Sequence, residues 1–135
     1  MDKRLRCFIT LVMAGLLSSC VFDSGIEWRG GPYVLIWIDT AENLTINRDE
    51  GEGAYSGRID STVFAVGWDG RYLVAKQHPD GDRSKTHYFV LDSSKDTDVG
   101  EPEEVVTGPL SAVEFQQKSN EMGLPPFSKV LISLE

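Results

Sequence analysis

The chain has 135 residues, 13 Lys and Arg against 21 Asp and Glu, a formal net charge of −8, and two cysteines. That length supports one domain with a real core. Its acidity repels nucleic-acid phosphates and anionic headgroups, which excludes nucleic acid as a partner and leaves solubility or a basic protein partner as the reason for the charge.

The first residues, Met1-Asp2-Lys3-Arg4-Leu5-Arg6, supply three cations and one anion. An apolar run over residues 7–17 follows, interrupted by Thr10 and Gly15, and then come Ser18, Ser19 and Cys20. A basic start, a short apolar run and a small-residue exit make a secretory signal. The run is shorter than the roughly 20 residues that span a bilayer. Leu17-Ser18-Ser19-Cys20 resembles the lipobox of bacterial lipoproteins: an aliphatic residue, two small residues, then the cysteine. The resemblance implies cleavage between Ser19 and Cys20, a thioether from Cys20 to diacylglycerol, and a fatty acyl chain such as palmitate on the new amine. It also implies export and a lipid anchor in the cell membrane. By resemblance to Gram-negative sorting signals, Val21, rather than Asp, after the cysteine implies the outer membrane if the host is Gram-negative. Each buried methylene contributes roughly 0.8 kcal/mol, so two or three chains hold firmly where one does not.

The expected plan is therefore a signal at residues 1–19, a lipidated cysteine and tether at 20–32, and a single domain over 33–135. Beyond the signal, 10 cations face 20 anions. Cys7 leaves with the signal and Cys20 carries lipid, so the mature domain has no pair to oxidise and depends on packing.

Residues 21–32 read as tether, with Asp23-Ser24-Gly25 and Gly30-Gly31-Pro32 as punctuation and Trp28 between them. Tyr33–Ile38 is β-branched and aromatic on both faces, which predicts a covered strand. Residues 43–48 alternate, with Leu44 and Ile46 on one face, and predict a half-buried strand. Residues 49–53 read as an acidic, glycine-containing turn. Residues 62–68 and 71–76 flank Asp69-Gly70, the signal of a type I′ hairpin. That register sets Trp68 opposite Arg71, Gly67 opposite Tyr72, Val66 opposite Leu73 and Ala65 opposite Val74, with the Arg71 guanidinium laid on Trp68.

A polar loop, His78-Pro79-Asp80-Gly81-Asp82, follows, and residues 87–91 predict another strand. Residues 92–102 read as a polar loop. Ser111 and Glu114 form a capping box for a helix over Ala112–Met122, anchored by Val113, Phe115 and Met122 and closed by Gly123. Pro125-Pro126 ends the helical region, and residues 130–134 predict a last strand. Strands, one helix, then a strand make an α+β fold: a mainly antiparallel sheet with one C-terminal helix packed on a face, then a last strand. A small open β-barrel is the alternative.

No catalytic residue is identified, and no cofactor. The chain has no Gly-x-Ser-x-Gly elbow, no Gly-rich phosphate loop before a helix, and no thiol beyond Cys20 after the signal. No metal site is expected; His78, Asp80, Asp82 and His87 are the weak candidates, two imidazoles and two carboxylates around one loop. Asp80-Gly81-Asp82 and Asp96-Thr97-Asp98-Val99-Gly100-Glu101 lack the full ligand set of an EF-hand.

The run from Val63 through Gly67-Trp68-Asp69-Gly70 to Lys76-Gln77, with His87-Tyr88-Phe89-Val90-Leu91-Asp92 and the Thr107-Gly108-Pro109-Leu110-Ser111 entry to a helix, resembles a family of small bacterial lipoprotein domains of unknown function. The resemblance covers roughly residues 32–124 and implies neither an activity nor catalytic residues. Together these features point to a membrane-anchored, non-enzymatic lipoprotein of the cell envelope that binds protein. Two alternatives stay open. One is an envelope hydrolase using acids such as Asp80, Asp82 or Asp92. The other is an immunity or inhibitor protein directed at a basic envelope enzyme or toxin. Oligomeric state has no signal in the sequence.

Overall fold

The computed structural model describes residues 23–97 and 101–135. The expected signal peptide, its cleavage point at Ser19 and the lipid-bearing Cys20 lie outside the described residues.

Two antiparallel sheets divide the strands. The first is a four-strand meander of β1 (Ser24–Gly30), β2 (Tyr33–Ile38), β3 (Leu44–Gly51) and β4 (Ala54–Ile59). The second holds β5 (Val63–Trp68), β6 (Tyr72–Gln77), β7 (His87–Asp92), β8 (Val106–Leu110) and β9 (Lys129–Val130), in the order β8-β7-β6-β5-β9. A single-turn helix α1 (Pro102–Val105) precedes β8, and α2 (Ala112–Met122) links β8 to β9. The result is the expected α+β architecture: antiparallel sheet, one substantial helix on a face, and a short strand after it.

The core lies between the sheets. Tyr33, Leu35, Leu44, Ile46 and Ile59 from the first sheet pack with Val63, Ala65, Leu73, Ala75 and Leu91 from the second. The other face of the second sheet is covered by α2 and the segment after it. There Val74, Val90, Leu110 and Phe115 form a smaller cluster with Tyr72, Tyr88, Leu124 and Phe127. Alternation along β6 and β7 sends Leu73 and Leu91 to one side and Val74 and Val90 to the other, so both faces are apolar. That is why these strands read as nearly continuous hydrophobic runs.

Several sequence expectations change. Residues 24–30, read from the sequence as part of a tether, form β1. It pairs along β2 from Ser24–Ile38 to Gly30–Tyr33 with a bulge near Glu27, so the ordered domain begins before Tyr33. Two further strands, β4 and β8, lie in segments whose Gly, Ser and Pro content suggests loops. The last strand is only Lys129–Val130, and Ile132–Leu134 is a 3-10 turn whose Leu134 is buried.

The β5–β6 hairpin is shifted by one residue from the expected register: Trp68 faces Leu73, Gly67 faces Val74 and Val66 faces Ala75. The Asp69 carboxylate accepts from the Arg71 and Tyr72 amides at 2.9 and 2.7 Å. This centres the loop on Gly70-Arg71, with positive φ at Gly70 only (+97°), the pattern of a type II′ turn. Arg71 consequently stacks over Tyr72, 4.7 Å from the ring centroid, while Trp68 meets the edge of Tyr33.

Helix α2 starts as expected: Ser111 accepts from the Glu114 amide at 3.2 Å, and its hydroxyl donates to the Glu114 carboxylate at 3.1 Å. Gly123 closes it in the left-handed region. Of the three expected anchors only Phe115 is buried; Val113 and Met122 are exposed, and Leu124 and Phe127 take their place on the sheet. No helix among the described residues is long and apolar enough to cross a membrane.

Candidate functional site

The main concentration of buried charge joins the two sheets. Tyr33 opens β2 and lies opposite Arg48 of β3 on the inward face. Arg58 sits in β4 where the pairing slips between Ile46–Ile59 and Asn47–Gly57. A bulge of this kind re-aims a side chain, here a guanidinium turned into the interior. Asp96 comes from the second half of the molecule, just past a 3-10 turn (Ser93–Lys95) that follows β7.

Arg58 grips the Asp96 carboxylate with two bonds, Nε to Oδ2 at 2.9 Å and Nη2 to Oδ1 at 2.8 Å. The Tyr33 hydroxyl donates to Oδ2 at 2.7 Å, and Arg48 Nη1 stands 3.8 Å from Oδ1. The side chains of Asp96 and Arg58 are 1% and 5% exposed. Two-pronged Arg–carboxylate bonding is the geometry that best offsets the desolvation of both charges. Burial alone would raise the Asp96 pKa; the bonds from Arg58 and Tyr33 and the charges of Arg58 and Arg48 outweigh it and hold the carboxyl below its ordinary value. Burial, then the bond to Asp96, pushes the Tyr33 hydroxyl far above the ordinary phenol range. The node is thus locked as carboxylate, guanidinium and neutral phenol, which suits fixing the sheets together rather than moving protons.

Beside this node the two sheets leave a groove of about 370 Å³ between the β4 edge and the α1–β8 edge. Gly57, Arg58 and Asp60 form one wall, and Pro102, Glu103, Val106 and Gly108 the other. Asp60 and Glu103 are exposed. The Arg58 charge behind them is already neutralised by Asp96, so the open carboxylates set the sign of the groove.

The weak metal candidates are placed apart in environment. His78 is buried, stacked on Phe64 at 4.1 Å between centroids, and its Nδ1 lies 2.8 Å from the Lys85 carbonyl. Its backbone exchanges two hydrogen bonds with Thr62. It lines a cavity of about 30 Å³ with Glu42, Thr62, Gly81, Arg83 and Leu134, room enough for a water molecule. His87 is half-buried opposite Gln77, and Asp80 is exposed at positive φ. Asp82 accepts from the Ser84 hydroxyl and amide at 2.6 and 3.0 Å, and these bonds lower its pKa. Among the described residues no group of three or more His, Cys, Asp and Glu side chains could hold a metal ion.

Asp92 has a similar structural task. It accepts from the Ser94 hydroxyl at 2.6 Å and amide at 3.1 Å, and from Arg71 at 3.3–3.4 Å. Partial burial opposes its ionisation, but these bonds prevail and lower its pKa.

A family model described as a protein of unknown function (DUF3997) matches residues 30–130. The chain belongs to this family. The DUF3997 match runs from the end of β1 to β9 and includes every residue of the buried node and of the groove. No curated protein and no solved structure matches the chain. Sequence reasoning did not find Tyr33, Arg48, Arg58 and Asp96, or the groove carboxylates Asp60 and Glu103. The single signal available was a tyrosine at the head of an otherwise aliphatic strand, and a partner 63 residues away leaves no local pattern.

Proposed function

We propose that this DUF3997 chain is an envelope lipoprotein, anchored through Cys20, whose domain binds a basic protein segment and carries out no chemistry of its own. The observation that carries the binding half is the groove between the sheet edges. Asp60 and Glu103 both line it, with Arg58 paired to Asp96 behind them, and offer two exposed carboxylates to a lysine or arginine side chain of a partner. The anchor half is supported by the basic start, the apolar run and Leu17-Ser18-Ser19-Cys20.

The non-enzymatic half is supported by the use made of the acids. Asp82 and Asp92, offered above as hydrolase residues, hold turns and favour the ionised form. A general acid at neutral pH requires the opposite, a carboxyl with a raised pKa.

The test is capture from envelope extract by the full-length acylated protein in detergent, at low and high salt, beside an Asp60→Asn/Glu103→Gln variant. A basic protein retained at low salt, released at high salt and not retained by the variant is the expected result. Equal capture by both proteins would remove the groove from the reading. Turnover of envelope material by the purified protein would replace binding with hydrolysis.

A further inference from the structure

The start of β1 is fixed close to Cys20. The Asp39 amide donates to the Asp23 carbonyl at 2.8 Å, and Ser24 pairs with Ile38. Two residues separate Cys20 from Asp23, so their Cα atoms are at most about 11 Å apart. Whatever holds Cys20 therefore holds this end of the sandwich.

The same end gathers large exposed apolar side chains. Ile38 is 46% exposed at the end of β2, and Ile26, opposite Ile36 and so on the same sheet face, is 40% exposed. The C-terminal turn arrives beside them: Leu131, Ser133 and Leu134 line a cavity with Glu27, Ala41 and Leu44. Ile132, within that turn, is 80% exposed. Burying these three side chains would remove apolar surface from water without disturbing the core.

We infer that this end is a membrane-docking surface, with Ile26, Ile38 and Ile132 seated in the headgroup boundary of the bilayer that holds Cys20. This rests on the reading of Cys20 as the lipid attachment point. The occupant follows from the shortness of the link, which keeps this end within about 11 Å of the anchored cysteine, a reach comparable to the headgroup layer of about 5–7 Å on each side. At the same end the acids Asp23, Glu27, Asp39 and Glu42 outnumber Arg83, which shares a cavity with Glu42 and Leu134, so the contact is apolar and tethered, and neutral lipid suits it better than anionic lipid. The turns at Gly31, Gly51 to Gly53 and Gly70 then point away from the membrane, about 20 Å further along the strands.

The test uses the full-length acylated protein reconstituted in phosphatidylcholine vesicles that contain headgroup-level quencher lipids. With Cys20 acylated and the signal removed, a single new cysteine takes the fluorophore, at Ile38→Cys, Ile132→Cys or Glu52→Cys. These positions are exposed, so each variant keeps the core. Quenching several-fold stronger at 38 and 132 than at 52 is expected, and it should weaken when phosphatidylglycerol replaces half of the lipid. Equal quenching at all three positions, or the reverse order, overturns the docking surface. Mass spectrometry of the N-terminal peptide reads the anchor separately. Acyl chains on Cys20 with flat quenching overturn the docking alone, whereas an unacylated Cys20 overturns the anchor and the docking with it.

Discussion

The central and the edge strands of this molecule are held by different means. β2, β5 and β6 each have two neighbours and bury most of their side chains, as in the fully buried Val63 to Val66 of β5, and β7, also with two neighbours, buries Val90 and Leu91 and half-buries the rest. The edge strands β1, β4 and β8 have one neighbour each and leave most side chains exposed or half-exposed. Hydrophobic burial therefore secures the centre, while each edge depends on a particular device. β4 is tied by Arg58 to Asp96. β1 lays Gly25 against the Trp37 ring and Gly30 against Trp28 and Trp68, where a β-carbon would collide. β8 passes Gly108 over Phe89 in the same manner. Edge strands are thus specified residue by residue, and a single substitution can release one.

The largest effect is expected where the edge device is ionic. Asp96→Asn keeps the size of the side chain but leaves Arg58 buried against a neutral partner, and breaking a buried pair in this way costs about 3–5 kcal/mol. That equals truncating a core leucine, for which about 2–5 kcal/mol is typical. Urea unfolding of the two proteins should show the difference as a shift in midpoint. A shift below about 1 kcal/mol would mean that the β3–β4 ladder alone holds the edge.

The pH dependence has a definite sign. The folded pKa of Asp96 is lowered, so its contribution is present above its unfolded value of about 3.9 and is lost as pH falls through the folded value. The gap between wild type and Asp96→Asn should therefore close in acid. Tyr33 has a raised pKa, so its contribution is present below about pH 10 and is lost as pH rises through its folded value.

The same division explains what could be read from the sequence. Val63-Phe64-Ala65-Val66 and Tyr88-Phe89-Val90-Leu91 announce strands because both faces are buried. Ser24-Gly25-Ile26-Glu27-Trp28-Arg29-Gly30 does not, since its glycines serve close approach to tryptophans and its exposed positions are free to be polar. Thr107-Gly108-Pro109 looks like a loop because an edge strand tolerates a proline that a central strand rejects. The hairpin was legible as a hairpin, but its register was not. Asp69-Gly70 satisfies the type I′ rule, and the choice of Gly70-Arg71 is made by where the Asp69 carboxylate finds its two amides. The candidate site was the least legible part, because Tyr33, Arg58 and Asp96 meet only through tertiary packing.

Glycines in the central hairpin sharpen the comparison. Gly67 of β5 faces the chain after α2, and a β-carbon there would strike the Pro126 carbonyl and crowd a Val74 methyl group. Gly67→Val should cost about 1–3 kcal/mol by overpacking. Its clearest sign is loss of the Ser128 N–H to Val66 C=O bond beside it, seen as faster amide exchange at Ser128.

Gly70, three residues away, tests the opposite mechanism. Nothing lies within 4 Å of a β-carbon there, so crowding contributes nothing. Its φ of +97° is the whole penalty, about 1–2 kcal/mol for an L residue held on the left-handed side. Gly70→Val should lower the melting temperature less than Gly67→Val while leaving exchange at Ser128 unchanged. The Asp69 carboxylate, still bonded to the Arg71 and Tyr72 amides, keeps the loop in register. An unchanged melting temperature would show that the loop relaxes to a turn without positive φ, and that the buried strands on either side, not the turn, set the hairpin.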